Sequence, residues 1–178
     1  MPSGCGNRPR FFRIRPALRG FVPIGILEGW SVVEVPLTLQ KSRRDRVGMT
    51  KKIKVLLSKL GLDVHNRGII IVAKVLSSAG MEVVYLGNAL PEEIISVAIQ
   101  EDVDVVGVSS LGGAHISLGT LLLEEAEEKG LKERMVFLMG GVFPPSDGER
   151  LREIGFDGVF LPGATSGDIV SGIERLVG

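Results

Sequence analysis

After Met49, the sequence alternates short apolar runs with amphipathic segments, and this alternation constrains the fold more than any other feature of the chain. The apolar runs predict strands, and the segments between them have the periodicity of helices. We predict strands at residues 53–58, 82–86, 104–109, 135–139 and 158–161, and helices at 67–79, 91–101, 115–129, 146–154 and 167–177. Strands and helices that alternate on this spacing form right-handed βαβ units around a parallel sheet.

Composition and turn residues agree with such a sheet. Hydrophobic residues make up 44% of the chain but aromatic residues only 5%, so the core must be aliphatic, as it is where strands are buried on both faces. Gly80 and Gly130 follow predicted helices, and Pro91 begins one. We therefore predict an α/β, flavodoxin-like (Rossmann-like) domain with five parallel strands in the order 2-1-3-4-5 and helices on both faces. Ligands of this architecture bind at the carboxyl ends of the strands, between the first and third.

The first 48 residues have a different character. They contain five prolines, which interrupt any periodic pattern, and nine basic against three acidic residues, a net charge of +6. We predict that residues 1–48 are a basic N-terminal extension, either a targeting segment or a disordered or non-native start, and that residues 49–178 form the domain. The 12 basic and 18 acidic residues of the domain give a net charge of −6, which argues against nucleic-acid binding.

Two further features bear on location. Cys5 is the single cysteine, so no internal disulfide can form and a reducing compartment is expected. No apolar run approaches the roughly 18 residues that a membrane-spanning helix needs. We expect a cytoplasmic protein that does not bind membranes.

Three short motifs follow the ends of predicted strands. Asp63-x-His65-x-x-Gly68 lies after the first strand, Ser109-x-Leu111 ends the third, and Gly140-Gly141 ends the fourth. Because the carboxyl ends of parallel strands share one edge of the sheet, these motifs are expected to meet there. His65, with an acid two residues before it, suits a metal ligand, since the carboxylate can accept the second ring N–H and fix the tautomer.

The usual ligands of this edge do not match the loops. A dinucleotide site needs G-x-G-x-x-G after the first strand, and a P-loop needs Gly-Lys-Ser/Thr; neither occurs between Ser58 and Gly68. A phosphoreceiver domain needs an acceptor aspartate after the third strand, which here ends in Ser109-Ser110. A loop with a metal-ligating histidine is the possibility that remains.

Taken together, the three motifs resemble the D-x-H-x-x-G, S-x-L and G-G signature of cobalamin-binding domains, and the resemblance covers residues 51–178. The text from Gly61 to Gly68 and from Ser110 to His115 is most similar to the methylmalonyl-CoA mutase branch. That branch commonly has glycine in place of Val64 and aspartate in place of Asn66, but neither position supplies a ligand. The segment 161–165 has one residue more than the family's G-P-G-T, so no cofactor contact is assigned to Thr165.

The resemblance implies that cobalamin binds with its dimethylbenzimidazole tail detached from cobalt. His65 would then take the lower axial position on the metal, and Asp63 would accept the other imidazole N–H. Lys59 matches a lysine near this acid, which implies a relay from Lys59 through Asp63 to His65. Each assignment has a structural alternative: that His65 is an ordinary loop histidine, that Lys59 is solvated, and that Asp63 only accepts hydrogen bonds from loop N–H groups.

The detached tail would occupy a slot beside the first and fourth strands. Gly68, Gly140 and Gly141 would leave room for it, Ser109 would hydrogen-bond its base, and Leu111 would contact it. The structural alternatives are that Ser109 simply ends a strand and that the two adjacent glycines form a turn. Asn66 is expected to cap the following helix, and His115 is expected to be a helix-start residue whose role the motif does not specify.

The chain has 178 residues, whereas the (β/α)₈ barrel that holds an acyl-CoA in this family needs about 250. The resemblance therefore implies a stand-alone small subunit of a heteromeric, adenosylcobalamin-dependent acyl-CoA mutase, an isomerase whose barrel and acyl-CoA site lie on a separate large subunit. No catalytic residue is assigned to this chain, and the acyl-CoA stays open. The alternatives are a corrinoid carrier or sensor for a methyltransferase or regulator, and an interaction domain that has lost its cofactor.

Overall fold

A computed structural model of the chain describes residues 52–62, 64–111 and 113–178. The predicted extension, residues 1–48, lies outside the described residues, and so does Asp63. Strands and helices alternate throughout the described part, as the sequence predicts. They are β1 (Lys54–Leu60), α1 (Arg67–Ser78), β2 (Glu82–Ala89), α2 (Pro91–Glu101), β3 (Val105–Ser110), α3 (His115–Glu128), β4 (Val136–Gly141), α4 (Pro145–Glu153), β5 (Gly158–Phe160) and α5 (Ser166–Val177).

The five strands form one parallel sheet in the order β2-β1-β3-β4-β5, which confirms the predicted flavodoxin-like topology. The largest difference from the predicted boundaries is at β2, which runs on to Ala89. Its pairing with β1 shifts between Tyr85 and Gly87, where β2 accommodates one extra residue. Gly87 has a φ of 87°, which glycine adopts without strain, so the bulge lets β2 continue to the carboxyl edge of the sheet.

Side chains that alternate along the strands build two separate cores. On one face, Leu56, Val106 and Phe137 pack with helices α2, α3 and α4. On the other face, Val55, Val105 and their neighbours pack against α1 and α5. We call the second one the α1/α5 face. Because strands are covered on both faces, their interior positions are nearly all apolar, which is why the strand runs stand out in the sequence.

The α1/α5 face is unusually flat at its centre. One register row across the sheet reads Leu57, Gly107, Leu138 and Gly158, so leucine and glycine alternate between neighbouring strands. A Cβ atom on Gly107 would lie 2.8 Å from Cδ2 of Leu57, and one on Gly158 would lie 2.7 Å from Cδ2 of Leu138. The leucine side chains thus lie over the glycines, so this row presents two side chains rather than four to the helices.

Helix ends follow the expected chemistry, with one exception. Pro91 begins α2, and Gly80 and Gly130 have positive φ values of 96° and 64° after α1 and α3. Asn66 lies at the N-cap position of α1, but its side chain makes no capping hydrogen bond, so that prediction is wrong. Its backbone is already helical, with φ −96° and ψ −19°, whereas a capping side chain needs the extended conformation. Among the described helices, none is long and apolar enough to cross a membrane.

The first prediction concerns the domain boundary. A polypeptide that begins at Met49 should fold cooperatively, because the described members of both cores lie between Ile53 and Val177. Its melting temperature should lie within about 4 °C of the full chain, equivalent to about 1 kcal/mol of stability for a domain of this size. Circular dichroism melts of the two proteins make the comparison. A truncated protein that is insoluble or melts without cooperativity would make residues 1–48 part of the folding unit.

Candidate functional site

The predicted motifs meet at the carboxyl edge of the sheet. In the last complete register row, Lys59 of β1, Ser109 of β3, Gly140 of β4 and Phe160 of β5 lie side by side on the α1/α5 face. The register continues for one more pair, Ser110 with Gly141, before β3 and β4 end. The loops that follow β1, β3, β4 and β5 therefore surround a common area above this row.

A cavity of about 580 Å³ opens in this area and descends between the sheet and helices α1 and α5. Its walls are almost entirely apolar. The sheet contributes the flat row of Leu57, Gly107 and Leu138, and the helices contribute aliphatic side chains, namely Ile69, Ile71, Val72 and Leu76 of α1 and Ile169 and Ile173 of α5. The mouth carries His65, Arg67 and the segment 160–164. A slot of this shape suits an elongated, largely apolar group that enters from the carboxyl edge.

Seven predicted site residues lie in the described part of the chain, and six of them line this cavity. These are His65, Gly68, Ser109, Leu111, Gly140 and Gly141. His65 is exposed, in the loop between β1 and α1. The imidazole can therefore reach a ligand at the mouth, where the cavity meets solvent.

Lys59 differs from the other six. It is only 4% exposed, so the alternative of a solvated lysine is wrong, but it does not line the cavity. Its backbone pairs with Asn88 of β2 and Ser109 of β3. A lysine that is buried this deeply needs polar partners, which is consistent with a role beneath the β1–α1 loop rather than in ligand contact.

The glycines of the motifs differ in the space that surrounds them. A Cβ atom on Gly68 would meet no atom within 4 Å, and one on Gly140 would meet only the carbonyl oxygen of Phe160, at 3.8 Å. Both glycines line the cavity, and a larger side chain at Gly140, which lies between Ser109 and Phe160 on the α1/α5 face, would occupy part of it. At Gly141 a Cβ would lie 2.1 Å from the carbonyl oxygen of Ser110, so this glycine is required by the approach of β3 and β4.

Some lining residues were not predicted from the sequence. Gly107 is one of them, and its missing side chain lets Leu57 lie flat against the sheet beneath the β3 motif. Leu161 to Ala164 form part of the mouth, whereas Thr165 does not line it. Thr165 instead caps α5: its hydroxyl accepts a hydrogen bond from the Asp168 N–H at 3.2 Å. The unusual Leu-Pro-Gly-Ala sequence before this cap was the feature from which the lining of the mouth could have been predicted.

Asp168 in turn stabilises the start of α5, one wall of the cavity. Hydrogen bonds from the Thr165 hydroxyl, at 2.8 Å, and the Thr165 N–H, at 2.9 Å, hold the pKa of the Asp168 carboxyl below its ordinary value. A carboxyl with a lowered pKa contributes stability above its unfolded-state pKa, and this contribution is lost as the pH falls through the lowered value. The first turn of α5 thus has this contribution in full at neutral pH and loses it in acid.

Comparisons with known proteins identify the family of this chain. A family model described as the B12 binding domain matches residues 53–170. The 2-hydroxyisobutanoyl-CoA mutase small subunit of Aquincola tertiaricarbonis is 40% identical over 126 residues, which cover 70% of this chain and 92% of that protein. The pivalyl-CoA mutase small subunit of Xanthobacter autotrophicus is 38% identical over 129 residues, covering 71% and 85%. Methylmalonyl-CoA mutase of Escherichia coli is 34% identical over 128 residues, but these are only 18% of that protein.

Solved structures are similar in fold. A cobalamin-binding protein from Desulfitobacterium hafniense superimposes with a TM-score of 0.63 at 22% identity, over 72% of this chain and 60% of that one. The monomethylamine corrinoid protein of Methanosarcina barkeri gives 0.60 at 20% identity, over 69% and 57%. At these identities the two structures support the fold alone.

The second prediction tests the cavity with the ligand that the sequence resemblance implies. Gly140→Leu should abolish tight cobalamin binding, because the new side chain would occupy the cavity. The melting temperature should not fall, since no backbone atom lies within 3.4 Å of the new Cβ and burying a leucine side chain is worth about 1.5–3 kcal/mol. Spectrophotometric titration and thermal melts measure the two effects.

Gly167→Leu is the matched control, because Gly167 is exposed on α5, outside the cavity, and its Cβ would meet only the Thr165 hydroxyl oxygen, at 3.7 Å. The control should bind cobalamin like the original chain. Tight binding by a folded Gly140→Leu protein would show that the cavity is not the ligand slot.

Proposed function

This chain belongs to the B12-binding domain family, and from that premise we propose that it is the cobalamin-binding small subunit of a heteromeric acyl-CoA mutase of the methylmalonyl-CoA mutase type, an isomerase. The observation that carries the proposal is the apolar cavity of about 580 Å³ with the single histidine His65 at its mouth. Such a cavity would hold the long aromatic tail of a cofactor, and His65 at its mouth would supply one ligand to the metal of that cofactor.

His65 would donate one ring nitrogen to cobalt. Its other ring nitrogen would carry the hydrogen and donate a hydrogen bond to Asp63, which would fix the orientation of the ring and raise its basicity. Lys59, buried beneath the β1–α1 loop, would supply positive charge to Asp63 and thereby favour the ionised carboxylate. The three residues would set how strongly the imidazole binds the metal.

The cavity would hold the detached dimethylbenzimidazole tail. Gly68 and Gly140 would lie against it, since neither position has an atom that a side chain would have to displace within 3.4 Å. Ser109 is half-buried at the mouth and is the polar group best placed to hydrogen-bond the tail. Burial of the tail among Leu57, Leu138 and Ile173 would stabilise the complex through the hydrophobic effect.

The cofactor would be adenosylcobalamin, which supplies a carbon radical when its cobalt–carbon bond breaks. The acyl-CoA site would lie on a separate large subunit of the barrel type. Support comes from the coverage of the relatives: small subunits match this chain over most of their own length, whereas the complete methylmalonyl-CoA mutase matches over less than a fifth. The large subunit would dock on the carboxyl edge, on loops 111–115 and 141–145, and exclude water from the reaction.

The third prediction tests the ligand assignment. With cobalamin bound and reduced to Co(II), the electron paramagnetic resonance spectrum should show hyperfine splitting from a protein nitrogen. His65→Ala should remove that splitting and weaken binding, and labelling the histidines of the original chain with ¹⁵N should change it. Asn66→Ala, in the same loop, is the control and should retain the signal. A nitrogen splitting that persists in His65→Ala, or that is the same with and without the ¹⁵N label, would assign the cobalt ligand to another group.

The fourth prediction concerns the partner. The chain alone should bind cobalamin but isomerise no acyl-CoA, and activity should appear on addition of a large subunit. If both surround the cofactor, each must strengthen the binding of the other by one common factor, of about 5- to 150-fold in typical linked systems. Calorimetric titrations with and without cofactor, together with mutase assays on methylmalonyl-, 2-hydroxyisobutyryl- and isobutyryl-CoA, test this. Isomerisation by the chain alone would refute the subunit assignment, and methyl transfer would favour a corrinoid carrier.

A further inference from the structure

His115, the second histidine of the chain, is more buried and has more contacts than a residue at the start of a helix requires. It begins α3 as predicted, but it is only 7% exposed. Its Nε2 lies 2.9 Å from Oδ2 of Asp147, in the first turn of α4. Its ring stacks on Phe143, with 4.8 Å between ring centroids and 21° between planes. The side chain thus joins the first turns of α3 and α4, which directly follow the β3–α3 and β4–α4 loops.

Those two loops border the candidate cofactor site. β3 and β4 stay in register up to Ser110 and Gly141 and then separate. Leu111 and Val142, the next residues on each strand, both line the cavity, whereas His115 and Phe143 do not. His115 therefore lies behind the cavity wall, on the side of α3 and α4.

We propose that His115 and Asp147 form a latch that holds the β3–α3 and β4–α4 loops at a fixed separation, so that Leu111 and Val142 are pre-positioned for the cofactor. The proposal rests on the proposed function for its ligand. His115 and Asp147 are positioning residues, because they act on the site through the loops that they join.

The chemistry of the contact supports a specific and strong connection. A carboxylate only accepts hydrogen bonds, so Nε2 of His115 must carry the hydrogen that Oδ2 accepts. Hydrogen bonds to a charged group are stronger than neutral ones, and loss of Asp147 would leave the N–H of the buried His115 ring without this acceptor. The stacked Phe143 lies close to Gly141, where a Cβ atom would approach its Cε1 to 3.1 Å, so the latch and the strand end are packed as one unit.

The experiment uses four variants: His115→Ala, Asp147→Ala, the double variant of these two, and Asp147→Asn. Asp147→Asn keeps an oxygen acceptor for Nε2 of His115. Glu149→Ala is the matched control, since it removes an exposed acid from the same helix, two residues from Asp147. We expect each of the first two variants to weaken cobalamin binding by roughly tenfold, the loss expected from one hydrogen bond to a charged group. The double variant should lose little more than either single one, because the residues act as a pair. Asp147→Asn should recover most of the affinity.

Two further readouts separate the latch from simpler explanations. The Co(II) nitrogen splitting should persist in every latch variant, because His65 is untouched. In the cofactor-free protein, Asp147→Ala should speed amide hydrogen exchange at residues 113–115, across the contact, whereas Glu149→Ala should not. Unchanged exchange and unchanged affinity in folded variants would overturn the latch. If the original chain binds no cobalamin, the proposed function fails, and the exchange data still decide whether the latch exists.

Discussion

The flat row of glycine and leucine on the α1/α5 face is the constraint on which the site depends. Parallel sheets in α/β domains are normally packed tightly by helices on both faces, and a cavity between sheet and helix costs stability because its lining atoms lose contacts on one side. Here Gly107 carries no side chain at the centre of β3, and Leu57 lies flat in the space that one would take. The cavity of about 580 Å³ lies between this low row and helices α1 and α5.

The two faces of the sheet therefore have different tasks. The face covered by α2, α3 and α4 has a continuous core with Phe137, Leu122 and Ile94 fully buried, and it provides most of the rigid support. The α1/α5 face is interrupted by the cavity, and the atoms that line the cavity would gain contacts there if a ligand filled it. Binding that supplies such contacts to the native state alone stabilises it by mass action. In the proposed complex, the other face supports the loops at the mouth, and the cofactor lies against the α1/α5 face.

The sequence predicted the elements, their order and the edge where the motifs meet, because strand and helix periodicities differ and parallel strands must end on the same side. It did not predict the depth of the cavity. Gly107 lies inside an apolar run, where one glycine gives no sign of which face it opens. Nor did it predict that the side chain of Asn66 makes no cap, since that depends on a backbone conformation set by the preceding loop. The burial of Lys59 also depends on tertiary packing, because a lysine at a strand end is compatible with either environment.

Two adjacent residues of the same type can meet different structural requirements, as Gly140 and Gly141 do. Gly140 borders open space, so the cavity would tolerate a larger side chain sterically but lose volume. Gly141 borders the Ser110 carbonyl and cannot carry a Cβ without moving β3. The first glycine leaves room for a ligand, and the second brings two strand ends together just below the His115–Asp147 contact. A pair that looks like one motif in the sequence thus serves two different needs, open space in the proposed ligand slot and close packing at the ends of β3 and β4.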